Sequence, residues 1–104
     1  MEENGQILAS GNADYPIHHP QPAMAEQEPV DWWNAAMKAA RQALSDRDRS
    51  PDIKAIGLTG QMHGTVLLDK NMHPLHPAII WPDQRTADQV IEITRLIGEQ
   101  KLIE

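Results

Sequence analysis

Apolar positions change their period along the chain, and the changes mark its elements. Trp33, Met37, Ala40 and Leu44 recur at spacings of four, three and four, with Lys38, Arg41 and Gln42 on other faces. The spacing predicts a helix over Val30–Ser45. Pro29 suits its first position, where a missing N–H costs nothing, and Asp31 lies near the positive end of its dipole. Ile53–Thr59 is mostly apolar and predicts an internal strand. Thr65–Asp69 and Ala78–Trp81 read as two more strands, joined by a loop over Lys70–Pro77. A second stripe of Ala87, Val90, Ile93 (or Thr94) and Ile97 predicts a helix over Thr86–Ile97, with Gly98 as its C-cap.

The N-terminal third follows no helical period. Ile7-Leu8-Ala9 reads as a short strand after Asn4-Gly5, a pair favoured in two-residue hairpin turns. Only Met1–Glu3 precede that turn, so the strand expected to pair with Ile7–Ala9 is missing. Pro16, Pro20, Pro22 and Pro29 exclude a helix or central strand from Tyr15 to Pro29. An extended edge at Tyr15–His19 fits best. Asp46–Asp52 reads as a charged loop. Helices therefore sit between strands, which predicts an α/β layer rather than a bundle or sandwich. The chain stops at Lys101–Glu104, where a further strand is expected.

Length and charge narrow the classes. The 104 residues give room for one domain. Cysteine is absent, which excludes disulfides, a thiol nucleophile and Cys-ligated metal. The formal net charge is −6, and residues 1–31 hold six acids with no Lys or Arg, while the remainder balances. An acidic balance argues against a nucleic-acid surface. No apolar run approaches a membrane span, and no targeting pattern opens the chain, so a cytoplasmic setting is expected. The acids are interspersed with Pro, His and apolar residues, which reads as a solvated loop and sheet edge rather than a partner-binding tail.

Three clusters can carry chemistry. His18-His19 and His73-x-x-His76 invite a metal, but adjacent strand residues point to opposite faces and the second pair sits in a proline-flanked loop; no metal site is expected. Gly60-Gln61-Met62-His63-Gly64 falls at the end of the expected internal strand, where α/β sheets place ligand sites. Gln and His offer donors and acceptors suited to hydroxyls, and Met an adaptable apolar wall. A structural turn histidine accounts for the same residues. In Trp81-Pro82-Asp83-Gln84-Arg85, Asp83 can pair with Arg85, cap the following helix, or face a ligand with it. Walker and dinucleotide glycine loops, Gly-x-Ser-x-Gly and His-Glu-x-x-His are all absent from the 104 residues.

Four blocks, Glu26–Trp33, Ile56–Gly64, Leu67–Asp69 and Pro77–Arg85, stand in the order and spacing that resembles the FGGY carbohydrate kinases. Gln61-Met62-His63-Gly64 resembles the xylulokinase branch; glycerol kinases carry Gln-Arg-Glu there. Pro82 departs from the polar residue usual at its position. The resemblance implies a ribonuclease-H-like, actin-like ATPase fold, here a partial N-terminal domain lacking its opening strands. It implies ATP- and Mg2+-dependent phosphorylation of D-xylulose, with Met62 and His63 touching the sugar and Gln61, Trp81, Asp83 and Arg85 supporting the cleft. The family's Asp-x-Gly-Thr phosphate loop and its catalytic Asp fall outside residues 1–104. The expectation is therefore a fragment truncated at both ends, with no catalytic residue, no metal site and poor nucleotide binding alone, whose partner is the rest of the kinase. Two alternatives remain: a non-catalytic interaction protein, and a kinase for another sugar or polyol.

Overall fold

Proline and spacing set the first helix where expected. In a computed structural model describing residues 4–45 and 53–103, α1 runs Pro29–Ser45, opened by Pro29 and with Asp31 in its first turn. Its covered face differs from the predicted one. Trp33 is 65% exposed and Leu44 is also exposed, whereas Ala35 is buried and Trp32, Ala39 and Ala43 are half-buried. The reason is close approach. Gly11 lies so near the helix that a Cβ there would sit 2.0 Å from the Ala39 carbonyl oxygen. Only small residues permit that contact, so the alanines are covered, while Met37 alone of the predicted stripe is half-buried. The Asn12 N–H donates to Gln42 Oε1 at 3.0 Å from the same segment.

The sheet is small and wholly antiparallel. Strand β1, Glu26–Gln27, pairs with β2, Ala78–Ile79, in the register Glu26 to Ile79 and Gln27 to Ala78. Single bridges join His18 to Glu26 and Thr65 to Ile79, so His18, Glu26, Ile79 and Thr65 form one row across four segments. The edge expected at Tyr15–His19 thus contributes its His18 bridge alone. Residues 65–69 and 73–79 form a ragged hairpin, with Leu67 O accepting from Leu75 N–H at 2.9 Å and Leu68 bridged to Pro74. Its turn is tighter than the expected Lys70–Pro77 loop. Asp69 Oδ1 accepts the N–H groups of Asn71 and His73, both at 2.8 Å.

Two expected strands are not formed. Ile7–Ala9 and Ile53–Thr59 have no ladder partner among the described residues, and Ile7, Ile56 and Leu58 are exposed. A strand is defined by its neighbour, and apolar content alone supplies none. Asp46–Asp52 lies outside the described residues.

Helix α2 runs Ala87–Ile97 and α3 runs Glu99–Ile103, an element the apolar pattern had not marked. Gly98 adopts φ +90° between them and donates its N–H to Thr94 O at 2.9 Å, as expected of a C-cap. The stripe predicted on α2 faces solvent; none of its residues is buried. The apolar core is correspondingly slight: Ala25, Ala35, Ala78 and Ile80. The radius of gyration is 19.6 Å, against about 13 Å for an autonomous domain of this length. The accessible surface is 9323 Å², against about 5,900 Å² for a folded monomer of this mass. Room for a domain exists in length, but these residues enclose little of one.

Candidate functional site

Residues Gly60–Gly64 follow the irregular 53–59 segment and precede Thr65, the outermost partner in the bridged row. His63 adopts φ +60°, an uncommon left-handed conformation that histidine tolerates better than most residues. The turn therefore presents Met62 and His63 outward, with Met62 74% exposed. Gln61 lies on the other side of the turn. It helps line an open cleft of about 620 Å³ with Gly11, Tyr15, Trp32, Ala35 and Thr59. Small side chains from α1 and glycines from the turn make the cleft wall, and Trp32 gives it an aromatic face. Trp32 itself is fixed by donating Nε1–H to Gln27 Oε1 at 3.0 Å, while Gln27 Nε2 donates to Pro16 O at 3.3 Å.

The second cluster is more tightly built. Arg85 Nη2 donates to Glu26 Oε1 at 2.6 Å and to Asp83 Oδ2 at 2.7 Å, and Nε donates to both Asp83 oxygens at 2.9 Å. Asp83 Oδ2 also accepts the Ala25 N–H at 2.7 Å, and Oδ1 accepts the Arg85 N–H at 2.9 Å. The side chains are largely covered, with 3% of Asp83, 9% of Glu26 and 20% of Arg85 exposed. The Arg85 guanidinium holds the Asp83 carboxyl well below the usual carboxylate range, helped by the Ala25 N–H and opposed by desolvation. Asp83 and Glu26 in turn raise the Arg85 pKa.

Of the readings open for Asp83, the ion pair with Arg85 is present and the helix cap is not. Thr86 stands at the N-cap of α2 without a side-chain cap bond, and both Asp83 oxygens are taken by Arg85 and Ala25. Glu26 is the member that sequence reasoning missed. It was counted among solvated acids, yet it is buried against an arginine 59 residues away. Only the absence of a nearby cation around Glu26 hinted that a distant one was needed. Trp81 is 68% exposed beside this cluster. No hydrogen bond among the described residues joins Met62 or His63 to Asp83 or Arg85.

The histidine pairs resolve separately. His19 Nδ1 contacts Met24 O at 2.7 Å, and His76 Nδ1 contacts Pro77 O at 2.8 Å. His73 Nδ1 lies 3.5 Å from Asp69 Oδ2. Among the described residues, no three His, Asp or Glu side chains converge as metal ligands.

Comparison with known proteins decides the family. The N-terminal domain of the FGGY family of carbohydrate kinases matches residues 1–104. The chain belongs to that family. It is 35% identical over 103 residues to the xylulose kinase of Escherichia coli K12, covering 99% of this chain and 21% of that protein. It is 36% identical over 100 residues to the glycerol kinase of Thermococcus onnurineus, covering 95% of this chain and 20% of that one. A solved xylulose kinase from Brucella ovis superposes with a TM-score of 0.85 at 29% identity, over 91% of this chain and 20% of its own. The fold is accordingly the ribonuclease-H-like, actin-like ATPase fold, represented here in part. This FGGY chain spans about one fifth of the length of the relatives it matches. No helix among its described residues is long and apolar enough to cross a membrane.

Proposed function

We propose that this chain forms part of the sugar-binding wall of a kinase that phosphorylates D-xylulose, with Met62 and His63 as the sugar contacts. The observation that carries the reading is the Gly60–Gly64 turn. It offers one imidazole and one thioether, both solvent-facing, at the end of an irregular segment beside a cleft. An imidazole can donate to or accept from a hydroxyl, which suits a polyhydroxylated sugar. Gln61 faces the cleft side and supports the turn, and Trp81 gives an apolar surface of the kind that packs on a sugar face. The Gln-Met-His-Gly pattern favours a ketopentose over glycerol, because the glycerol-kinase pattern places a cation and an acid at those two positions.

ATP and Mg2+ belong to the proposed reaction, but the residues described here do not fit them. They offer no glycine-rich phosphate loop; Asp83 and Glu26 converge on Arg85, and among the described residues no three His, Asp or Glu side chains meet. No transfer step is derived from this chain, and no base for the sugar hydroxyl is assigned within it. The rest of the kinase polypeptide is its proposed partner. Support comes from the accessible surface of 9323 Å², about 3,400 Å² beyond that of a folded monomer of this mass.

The test exchanges Met62 and His63 for Arg and Glu in the intact kinase. The expected result is a loss of about 100-fold in kcat/KM for D-xylulose, since unpaired hydroxyls and a misplaced charge each cost a tenfold step or more. An unchanged kcat/KM would refute the assignment. A non-catalytic interaction protein is the second reading, and the exposed apolar faces of α1 and α2 favour it. It requires the chain alone to sediment as one cooperatively melting species.

A further inference from the structure

We propose that Arg85 is a positioning residue for the Met62–His63 turn, acting through the Asp83–Arg85–Glu26 clamp and the row of strand bridges; the proposal rests on the sugar-site reading above. Its chain of contacts is short and continuous. Arg85 joins Glu26 on β1 to Asp83 beyond β2. Asp83 then takes the Ala25 N–H, Ala25 O accepts the Ile80 N–H at 3.2 Å, and Ala23 O accepts the Gln84 N–H at 2.8 Å. These bonds hold β1 and β2 in register at a place where each strand has only two residues.

Ile79 is the hub of that register. It opposes Glu26 on one side and exchanges both backbone bonds with Thr65 on the other, at 2.9 and 3.2 Å. Thr65 follows His63 by two residues. A two-residue ladder is too short to maintain itself, so the clamp adds the hold of β1 on Ile79 that, together with the 65–79 hairpin, sets Thr65. A one-residue slip would turn every side chain on this row to the opposite face. Among the described residues no backbone hydrogen bond joins Gly60–Gly64 to another segment, so the turn takes its place from Thr65 and from the cleft wall it shares with α1.

The same geometry separates Arg85 from a ligand-binding role. Its Nε and Nη2 already serve two carboxylates, and four-fifths of the side chain is covered. Arginine is required rather than lysine, because one planar fork reaches two acids on different segments, whereas an ammonium acts as a point charge.

The experiment uses the intact kinase polypeptide with Arg85→Ala, Arg85→Lys and Glu26→Gln, and Gln89→Ala on the exposed surface of α2 as control. Amide hydrogen exchange is read at residues 60–66 and at α2. D-xylulose and ATP kinetics are measured in parallel. Arg85→Ala is expected to speed exchange at 60–66 about tenfold relative to α2 and to raise the sugar KM about tenfold, with the ATP KM unchanged. Millimolar guanidinium should recover part of the sugar KM in Arg85→Ala. Glu26→Gln, a milder change, should shift both readouts in the same direction and remains informative where Arg85→Ala fails to fold. Uniform acceleration of exchange along the chain, or a sugar KM that does not move, overturns the proposal. If the unsubstituted kinase ignores D-xylulose, the sugar reading fails, and the exchange comparison still decides the clamp.

Discussion

Replacing Gly11 with alanine tests whether the N-terminal segment is docked on α1 as the structure shows. The new Cβ would lie 2.0 Å from Ala39 O, 2.9 Å from Ala39 C and 3.0 Å from Ala43 N, where ordinary contact begins at 3.4 Å. The obstacle is helix backbone, which cannot rotate aside as a side chain would. The segment must therefore move away by about 1.4 Å, breaking the Asn12–Gln42 bond and uncovering Ala35, Ala39 and Ala43. Overpacking of this kind costs about 1–3 kcal/mol, and an exposed hydrogen bond adds up to about 1 kcal/mol. Stiffening of the unfolded chain by alanine offsets about 0.4–1 kcal/mol.

The net expectation is a loss of about 2 kcal/mol. Thermal denaturation followed by circular dichroism at the helical band measures it, with Asn12 amide exchange as the local reporter. Gly57→Ala is the matched control, since nothing lies within 4 Å of its Cβ position. It should be neutral or slightly stabilising. If Gly11→Ala melts with Gly57→Ala, the segment does not pack on α1 and the reasoning from close approach is wrong.

Other outcomes follow from the polar clusters. Asp83 has a folded-state pKa below its unfolded value of about 3.9, so its contribution is present above that value and fades as pH falls through the folded one. Stability measured from pH 6 downward should drop below about pH 4, and Asp83→Asn should be less stable at neutral pH and flatter across that acid range. Asp69 is likewise lowered, chiefly by the His73 N–H, so Asp69→Ala should speed exchange of the Asn71 and His73 amides while leaving Ala78 and Ile79 protected. The 104-residue chain by itself should release no ADP in a D-xylulose-dependent manner; measurable turnover would overturn the assignment of its catalytic groups to other parts of the kinase.

What the sequence made legible was local. Helices α1 and α2 announced themselves because a 3.6-residue period and a proline or glycine at the boundary are written in adjacent residues. The buried face of α1 was misjudged because size was taken as a proxy for burial. Gly11 reverses that by bringing backbone to backbone, where alanine fits and tryptophan does not. Strand β1 was invisible, since Glu26-Gln27 among prolines carries no apolar signal and owes its place to Arg85 and to Trp32. Half of the clamp could be read, because Asp83 and Arg85 are two residues apart. Its other half could not, because a 59-residue separation leaves no pattern. The turn at Gln61–His63 was found through its glycine brackets and its family resemblance, although the strand expected before it forms no ladder among the described residues.

These mismatches share one physical origin. Ile7–Ala9, Ile53–Thr59 and the stripe of α2 all carry apolar residues at the spacing of a buried face, and all are exposed. On the proposed reading these stripes pack against the rest of the kinase. The polar contacts behave oppositely: the clamp is satisfied within the chain, and no buried side-chain polar atom lacks a partner among the described residues. Polar bonding thus fixes the register of β1 on β2 locally, while the apolar stripes stay uncovered among the described residues. The proposed sugar turn sits between these two regimes, tied through Thr65 to the satisfied side and through residues 53–59 to the unsatisfied one. Its geometry should therefore tighten when the rest of the kinase is present, with exchange at residues 55–61 slowing more than at residues 65–69. Equal protection at both segments in chain and kinase would mean that the exposed stripe is the final surface and not an interface.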